Sequence, residues 1–212
     1  NDFIGQEAVY QLSGEPIVQT LPLYKKALKS DNLYVRQAVA STLGTIPKEL
    51  QAEYESLLKD ESYVTQEAAL YNLWLNFPKK KADYLNKMKG VVGFQNKNVR
   101  QLWLVLAMVT EGYEAENKQQ FVSELIGYTS NQYSFEVRQK ALEYCNELQI
   151  YTDEVLKNLV NASVHPNWRF KKFARSILDA LLENSEYKEQ FKMFLPEVSE
   201  KEKEFLQAKL SE

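Results

Sequence analysis

The feature that most constrains this chain is an octet that recurs along its length. Asp31-Asn32-Leu33-Tyr34-Val35-Arg36-Gln37-Ala38 is echoed by Asp60-Glu61-Ser62-Tyr63-Val64-Thr65-Gln66-Glu67-Ala68 and by Asn96-Lys97-Asn98-Val99-Arg100-Gln101. Further copies stand at Tyr133-Ser134-Phe135-Glu136-Val137-Arg138-Gln139 and at His165-Pro166-Asn167-Trp168-Arg169. Aligning Val35, Val64, Val99, Val137 and Trp168 gives intervals of 29, 35, 38 and 31 residues. That is the length of two short helices with their loops, so each period reads as a helical hairpin.

The chemistry of the octet fits the start of a helix. A short polar residue closes a loop and accepts hydrogen bonds from unpaired amides, a role that suits Asp31 and Asp60. Val35, Ala38, Val39, Thr42 and Leu43 then recur at three and four residues, forming one stripe toward the neighbouring helix. The partner helices are expected over 16–29, 48–59, 82–90, 118–129 and 153–162. Pro47 suits a first helical turn, and Thr152 followed by Asp153 and Glu154 reads as a cap with acidic residues at the positive helix end. With only 7 Gly and 6 Pro, falling between periodic segments, the chain is all-α.

Ile4-Gly5-Gln6-Glu7-Ala8-Val9-Tyr10 resembles Val64-Thr65-Gln66-Glu67-Ala68-Ala69-Leu70, so residues 1–14 read as the second helix of an incomplete first repeat. Together with the absence of an initial Met, this suggests a segment of a longer protein. Residues 185–212 read as two capping helices, the last rich in Lys and Glu. The expectation is one domain spanning 1–212.

Leu21-Pro22-Leu23, Leu28, Asp31, Val35-Arg36, Ala38 and Leu43-Gly44 together resemble the HEAT repeat consensus. The resemblance implies a right-handed α-α superhelix, a HEAT or armadillo-like solenoid of about five to six hairpins. It also implies a ladder of polar contacts along the array, at Asp31, Arg36, Asp60, Arg100, Arg138 and Arg169. Thr65 stands where an Arg is expected, which would interrupt the ladder. Asn96 falls one place late, and Trp103 replaces a small residue, which would widen the stack locally.

Catalytic constellations are absent from the sequence. There is no H-E-x-x-H, G-x-S-x-G or G-x-x-x-x-G-K-[ST]. A single histidine, His165, cannot build a His-based zinc site and reads as a helix-start residue. Gly90-Val91-Val92-Gly93 reads as a helix-ending turn, and Cys145 as a small core filler. Acidic pairs such as Glu143 and Glu147 read as solvated surface, and Lys79-Lys80-Lys81 as a charged loop. Trp168-Arg169-Phe170-Lys171-Lys172-Phe173-Ala174-Arg175 could stack bases and bind phosphates. The simpler reading is a core-facing aromatic stripe with a basic outer face. The balance of 26 Lys+Arg against 29 Asp+Glu disfavours nucleic acid as a partner. No run approaches the roughly 18 apolar residues of a membrane span, no signal peptide is visible, and the compartment stays open.

Asp153-Glu154-Val155-Leu156, His165-Pro166-Asn167-Trp168-Arg169 and the closing helices resemble the C-terminal end of aminopeptidase N-type zinc peptidases from bacteria. In that family a HEAT-like domain closes over the active site and restricts peptide access. The resemblance implies an accessory, non-catalytic role, with the parent's catalytic domain and peptide substrate as partners and the zinc held upstream. This chain itself is then expected to carry no cofactor, since the zinc motif and the family's G-x-M-E-N motif are both absent. Two other readings stand beside it: a stand-alone HEAT scaffold that binds a protein, and a HEAT-like DNA glycosylase.

Overall fold

The computed structural model describes residues 2–93, 95 and 97–211, without the side chains of Asp2, Phe3 and Val18. Among the described residues there are thirteen α-helices, four short 3-10 helices and no strand, in agreement with the all-α reading. No helix is long and apolar enough to cross a membrane. The chain divides into two compact units, Asn1–Ala115 and Glu116–Glu212.

The first unit holds α1 (Asp2–Leu12), α2 (Ile17–Leu28), α3 (Leu33–Thr42), α4 (Gln51–Glu55), α5 (Tyr63–Asn76), α6 (Lys81–Lys87) and α7 (Asn98–Val109). Helices α2 and α3, α4 and α5, and α6 and α7 pack as hairpins, while α1, α3, α5 and α7 lie side by side in that order. Gly5 lets α1 approach α3: a Cβ at that position would lie 2.8 Å from Cγ2 of Val35. The helix expected over 48–59 is broken, with α4 flanked by 3-10 turns at Lys48–Leu50 and Ser56–Lys59. The tighter turns shift the phase of the side chains, so that Leu50, Tyr54, Leu57 and Leu58 are all buried. The Tyr54 hydroxyl donates to the carbonyl of Ala40 at 2.8 Å, which satisfies a polar group inside this core.

Helix α7 is apolar on every side, with Leu102, Trp103, Leu104, Val105, Leu106 and Ala107 all buried. The indole of Trp103 donates to the carbonyl of Leu85 at 2.8 Å, so α6 is bonded to α7. Lys97, just before α7, has φ +57°, in the left-handed region. Asn96, the polar position of the third octet, lies outside the described residues.

The second unit holds α8 (Lys118–Gly127), α9 (Phe135–Glu147), α10 (Asp153–Ser163), α11 (Trp168–Leu182), α12 (Ser185–Phe194) and α13 (Glu200–Leu210). Its hairpins are α8 with α9, α10 with α11, and α12 with α13; α9 lies against α11, and α10 against α13. Thr152 caps α10 as expected, its hydroxyl accepting the Val155 amide at 3.4 Å. Ser199 and Glu202 form a reciprocal capping box at the start of α13.

Two local expectations shift. The side chains that cap α3 and α5 are Asn32 and Ser62, not Asp31 and Asp60. Adjacent short polar residues compete for this role, and the one whose oxygen lies over the first-turn amides takes it. The apolar register also moves: Val64 is exposed while Thr65 is buried, and Trp168 is exposed while Phe170 is buried. Counted from their caps, Arg36, Gln66, Gln101, Arg138 and Lys171 hold equivalent places, each amide bonded to the carbonyl at its helix start.

Candidate functional site

Three of the expected ladder positions, Arg36, Arg100 and Arg138, meet the ends of the preceding helices. Arg36 donates from Nη1 to the carbonyl of Ser30 at 2.8 Å, closing its own hairpin. Its Nε and Nη2 reach Asp60 at 2.5 and 3.3 Å, and Nη2 reaches Glu61 at 3.0 Å, joining the next hairpin. Asp60 is nearly fully buried, so this bidentate pair compensates a charge taken out of water. Gln66, rather than Thr65, repeats the first of these contacts, donating to the carbonyl of Asp60 at 2.5 Å. Arg100 donates to the carbonyl of Lys89 at 3.0 Å, and its guanidinium lies 4.7 Å from the Trp103 ring centre.

Arg138 is buried, donating to the carbonyls of Thr129 and Asn158 at 3.0 and 3.4 Å and to Oδ1 of Asn161 at 2.8 Å. Asn161 in turn donates to Glu202 of α13 at 2.6 Å. Burial lowers the basicity of Arg138, and the negative charge of Glu202 opposes that. Arg169 instead lies over the ring of Trp168. The carbonyl of Ser163, at the end of α10, is taken by Nε of Arg175 at 2.9 Å. Asp31 is exposed and makes no hydrogen bond or ion pair among the described residues.

Cys145, Glu143 and Glu55 are each engaged in the structure. Cys145 is fully buried, and burial pushes its thiol up to about 12, which suppresses the reactive thiolate. Glu143 pairs with Lys140 at 3.1 Å. Glu55 accepts from Lys87 at 2.8 Å, Gln51 at 2.9 Å, Tyr84 at 3.1 Å and Lys80 at 3.2 Å. Burial alone would raise its pKa, but the bonds from Lys87, Lys80, Tyr84 and Gln51 together hold it at about 2. This carboxylate joins α4 to α6, a structural task. Among the described residues no three His, Cys, Asp or Glu side chains converge as a metal site would need.

Two surface features remain. In the first unit Val64, Tyr71 and Leu75 of α5 are each close to half exposed, and their spacing of seven and four places them on one stripe. Tyr34 holds in α3 the place that Val64 holds in α5, two residues past the cap, and α3 lies against α5. The four side chains therefore share one face. Elsewhere in this unit, Leu58, Tyr63, Gln66, Lys87, Met88 and Val92 line an open cleft of about 280 Å³. The octet alignment puts Val64 in the core; only the seven-residue recurrence to Tyr71 signals this outward stripe. In the second unit an open cleft of about 390 Å³ lies at the 164–166 loop, with His165, Lys171, Arg175, Lys201, Glu204 and Phe205 on its walls. Sequence reasoning singled out His165 and the basic run at 168–175, but not Lys201, which comes from a separate helix. Comparison with models of protein families, with curated proteins and with solved structures finds no match.

Proposed function

We propose that this chain is a non-catalytic helical-repeat domain of the HEAT type, whose hairpins stack as a right-handed superhelix and whose second-helix layer holds a stretch of polypeptide. The observation that carries the reading is the exposed face of Tyr34, Val64, Tyr71 and Leu75. Isolated exposed apolar side chains need no explanation, whereas a contiguous set on neighbouring helices marks an interaction surface. Tyrosines contribute contact area at low entropic cost and keep a hydroxyl for the partner's backbone. The repeated Arg and Gln contacts to preceding helix ends support a regular stack beneath that face.

On the resemblance to aminopeptidase N-type peptidases, the polypeptide is peptide substrate, and the domain is a lid and spacer for a zinc-bearing catalytic domain upstream. The glycosylase reading draws less support, because Phe170 and Ala174 turn into the core and leave Trp168 as the largely exposed aromatic of the basic segment. The test is fluorescence anisotropy with a labelled library of extended peptides, comparing the chain with Tyr71→Ser/Leu75→Ser. Saturable binding weakened by the double substitution supports the proposal; equal binding, or none, overturns it. Deleting the segment from the full-length gene product then examines the aminopeptidase assignment. Peptidase activity whose length selectivity changes on deletion supports it, and a full-length product without peptidase activity removes it.

A further inference from the structure

The cleft at the 164–166 loop is built from three places in the chain. The loop supplies His165 and Pro166, α11 supplies Lys171 and Arg175, and α13 supplies Lys201, Glu204 and Phe205. Its volume of about 390 Å³ lies within the roughly 300–1,000 Å³ typical of small-molecule sites.

The donors on its walls are held in place yet incompletely used. Arg175 is anchored through Nε to the carbonyl of Ser163, and its guanidinium lies 4.6 Å from the ring centre of Phe205. Among the described residues its two terminal nitrogens have no hydrogen-bond partner, and the Lys171 ammonium forms neither a hydrogen bond nor an ion pair. Lys201 gives one bond to the carbonyl of Val164 at 2.8 Å and keeps two N–H groups. His165 accepts the Asn167 amide on Nδ1 at 3.0 Å, so the neutral ring carries its proton on Nε2. In a chain with more acidic than basic residues, an ion pair for these cations would be easy to supply, and Glu204 on the same wall makes none. Three cations against one carboxylate leave the cleft two positive charges in excess. Burial and the nearby charges of Arg138 and Lys201 lower the basicity of His165, in keeping with a positive local field.

We propose that this cleft binds a phosphate monoester, with the phosphate between Lys171, Arg175 and Lys201 and the organic group against Phe205 and Pro166. A phosphate monoester dianion matches the two excess charges, whereas a carboxylate leaves one uncompensated. The planar guanidinium suits bidentate contact with two phosphate oxygens, and the lysines act as point charges. This site is separate from the polypeptide face of the first unit and stands or falls independently of it.

The single histidine provides the readout, because its imidazole gives one assignable NMR signal on the wall of the cleft. Titration with phenyl phosphate is expected to move that signal saturably, with weaker binding of both benzoate and inorganic phosphate. Lys171→Gln/Lys201→Gln should weaken phenyl phosphate by about tenfold or more, as loss of charge-assisted hydrogen bonds requires. Lys171→Gln alone should weaken it with an unchanged thermal unfolding curve, since the Lys171 ammonium bonds to no other group among the described residues. The absence of a saturable shift, equal affinity for benzoate or inorganic phosphate, or binding unaffected by the double substitution would overturn the proposal.

Discussion

Glu55 gives the most direct test of how the first unit is held together. Its carboxylate takes four donors from α4, α6 and the turn before α6, and its pKa falls from an ordinary 4.5 to about 2. A group whose folded pKa is depressed stabilises the fold above the unfolded pKa, and that contribution disappears as pH falls through the folded pKa. At about 1.4 kcal/mol for each tenfold difference in proton affinity, the ceiling is about 3 kcal/mol. Lys80 and Lys87 are about half exposed, so solvent screens their attraction, and about 2 kcal/mol is the expected value.

Glu55→Gln should therefore destabilise the protein by about 2 kcal/mol at pH 7 and lower its Tm by about 4–8 °C. The deficit should shrink as pH falls from 4.5 and vanish below pH 2, where the wild-type carboxyl is also neutral. Urea unfolding followed by tryptophan fluorescence reports the right region, since Trp74 and Trp103 lie in this unit and Trp168, in the other, is largely exposed in the folded state. A deficit that stays constant from pH 7 to pH 2 would refute the electrostatic account and assign the loss to packing.

Arg36→Ala should cost about 3–5 kcal/mol in urea unfolding, because it leaves Asp60 buried without its cation. Asp60→Asn in the same background should recover part of that loss. Arg138→Ala should cost about 3 kcal/mol by the same assay, and Arg138→Lys should fail to restore it, since one ammonium cannot span Thr129, Asn158 and Asn161. Cys145 should resist a thiol reagent in the native protein and react at once in denaturant, and rapid native labelling would contradict its burial.

The helices were largely legible in the sequence because their signals are local. Apolar spacing located α2, α8 and α10 to within a residue or two, and Thr152 marked its own cap. What escaped depends on the path of the chain through space. Asp31 and Asn32 are equally good caps on paper; the loop geometry places Asn32 over the Tyr34 amide. Thr65 is the residue that an octet alignment sets against Arg36, yet Gln66 makes the equivalent reach once the helix start is set by Ser62. Arg175 replaces Arg169 at the end of α10 for the same reason, being the side chain that the turn of α11 brings back to Ser163. The basic cleft was half visible: Lys171 and Arg175 belong to a run that stands out, but only packing of α13 on α10 brings Lys201 and Phe205 to it.

The double grip of Arg36 has a mechanical consequence. One guanidinium is bonded both to Ser30, at the close of α2, and to Asp60, at the threshold of α5. Tension drawn through the chain ends therefore meets one shared fastening where two seams would otherwise part independently. In a force-extension trace α2 through α5 should be released in a single larger step, and Arg36→Ala should split that step in two.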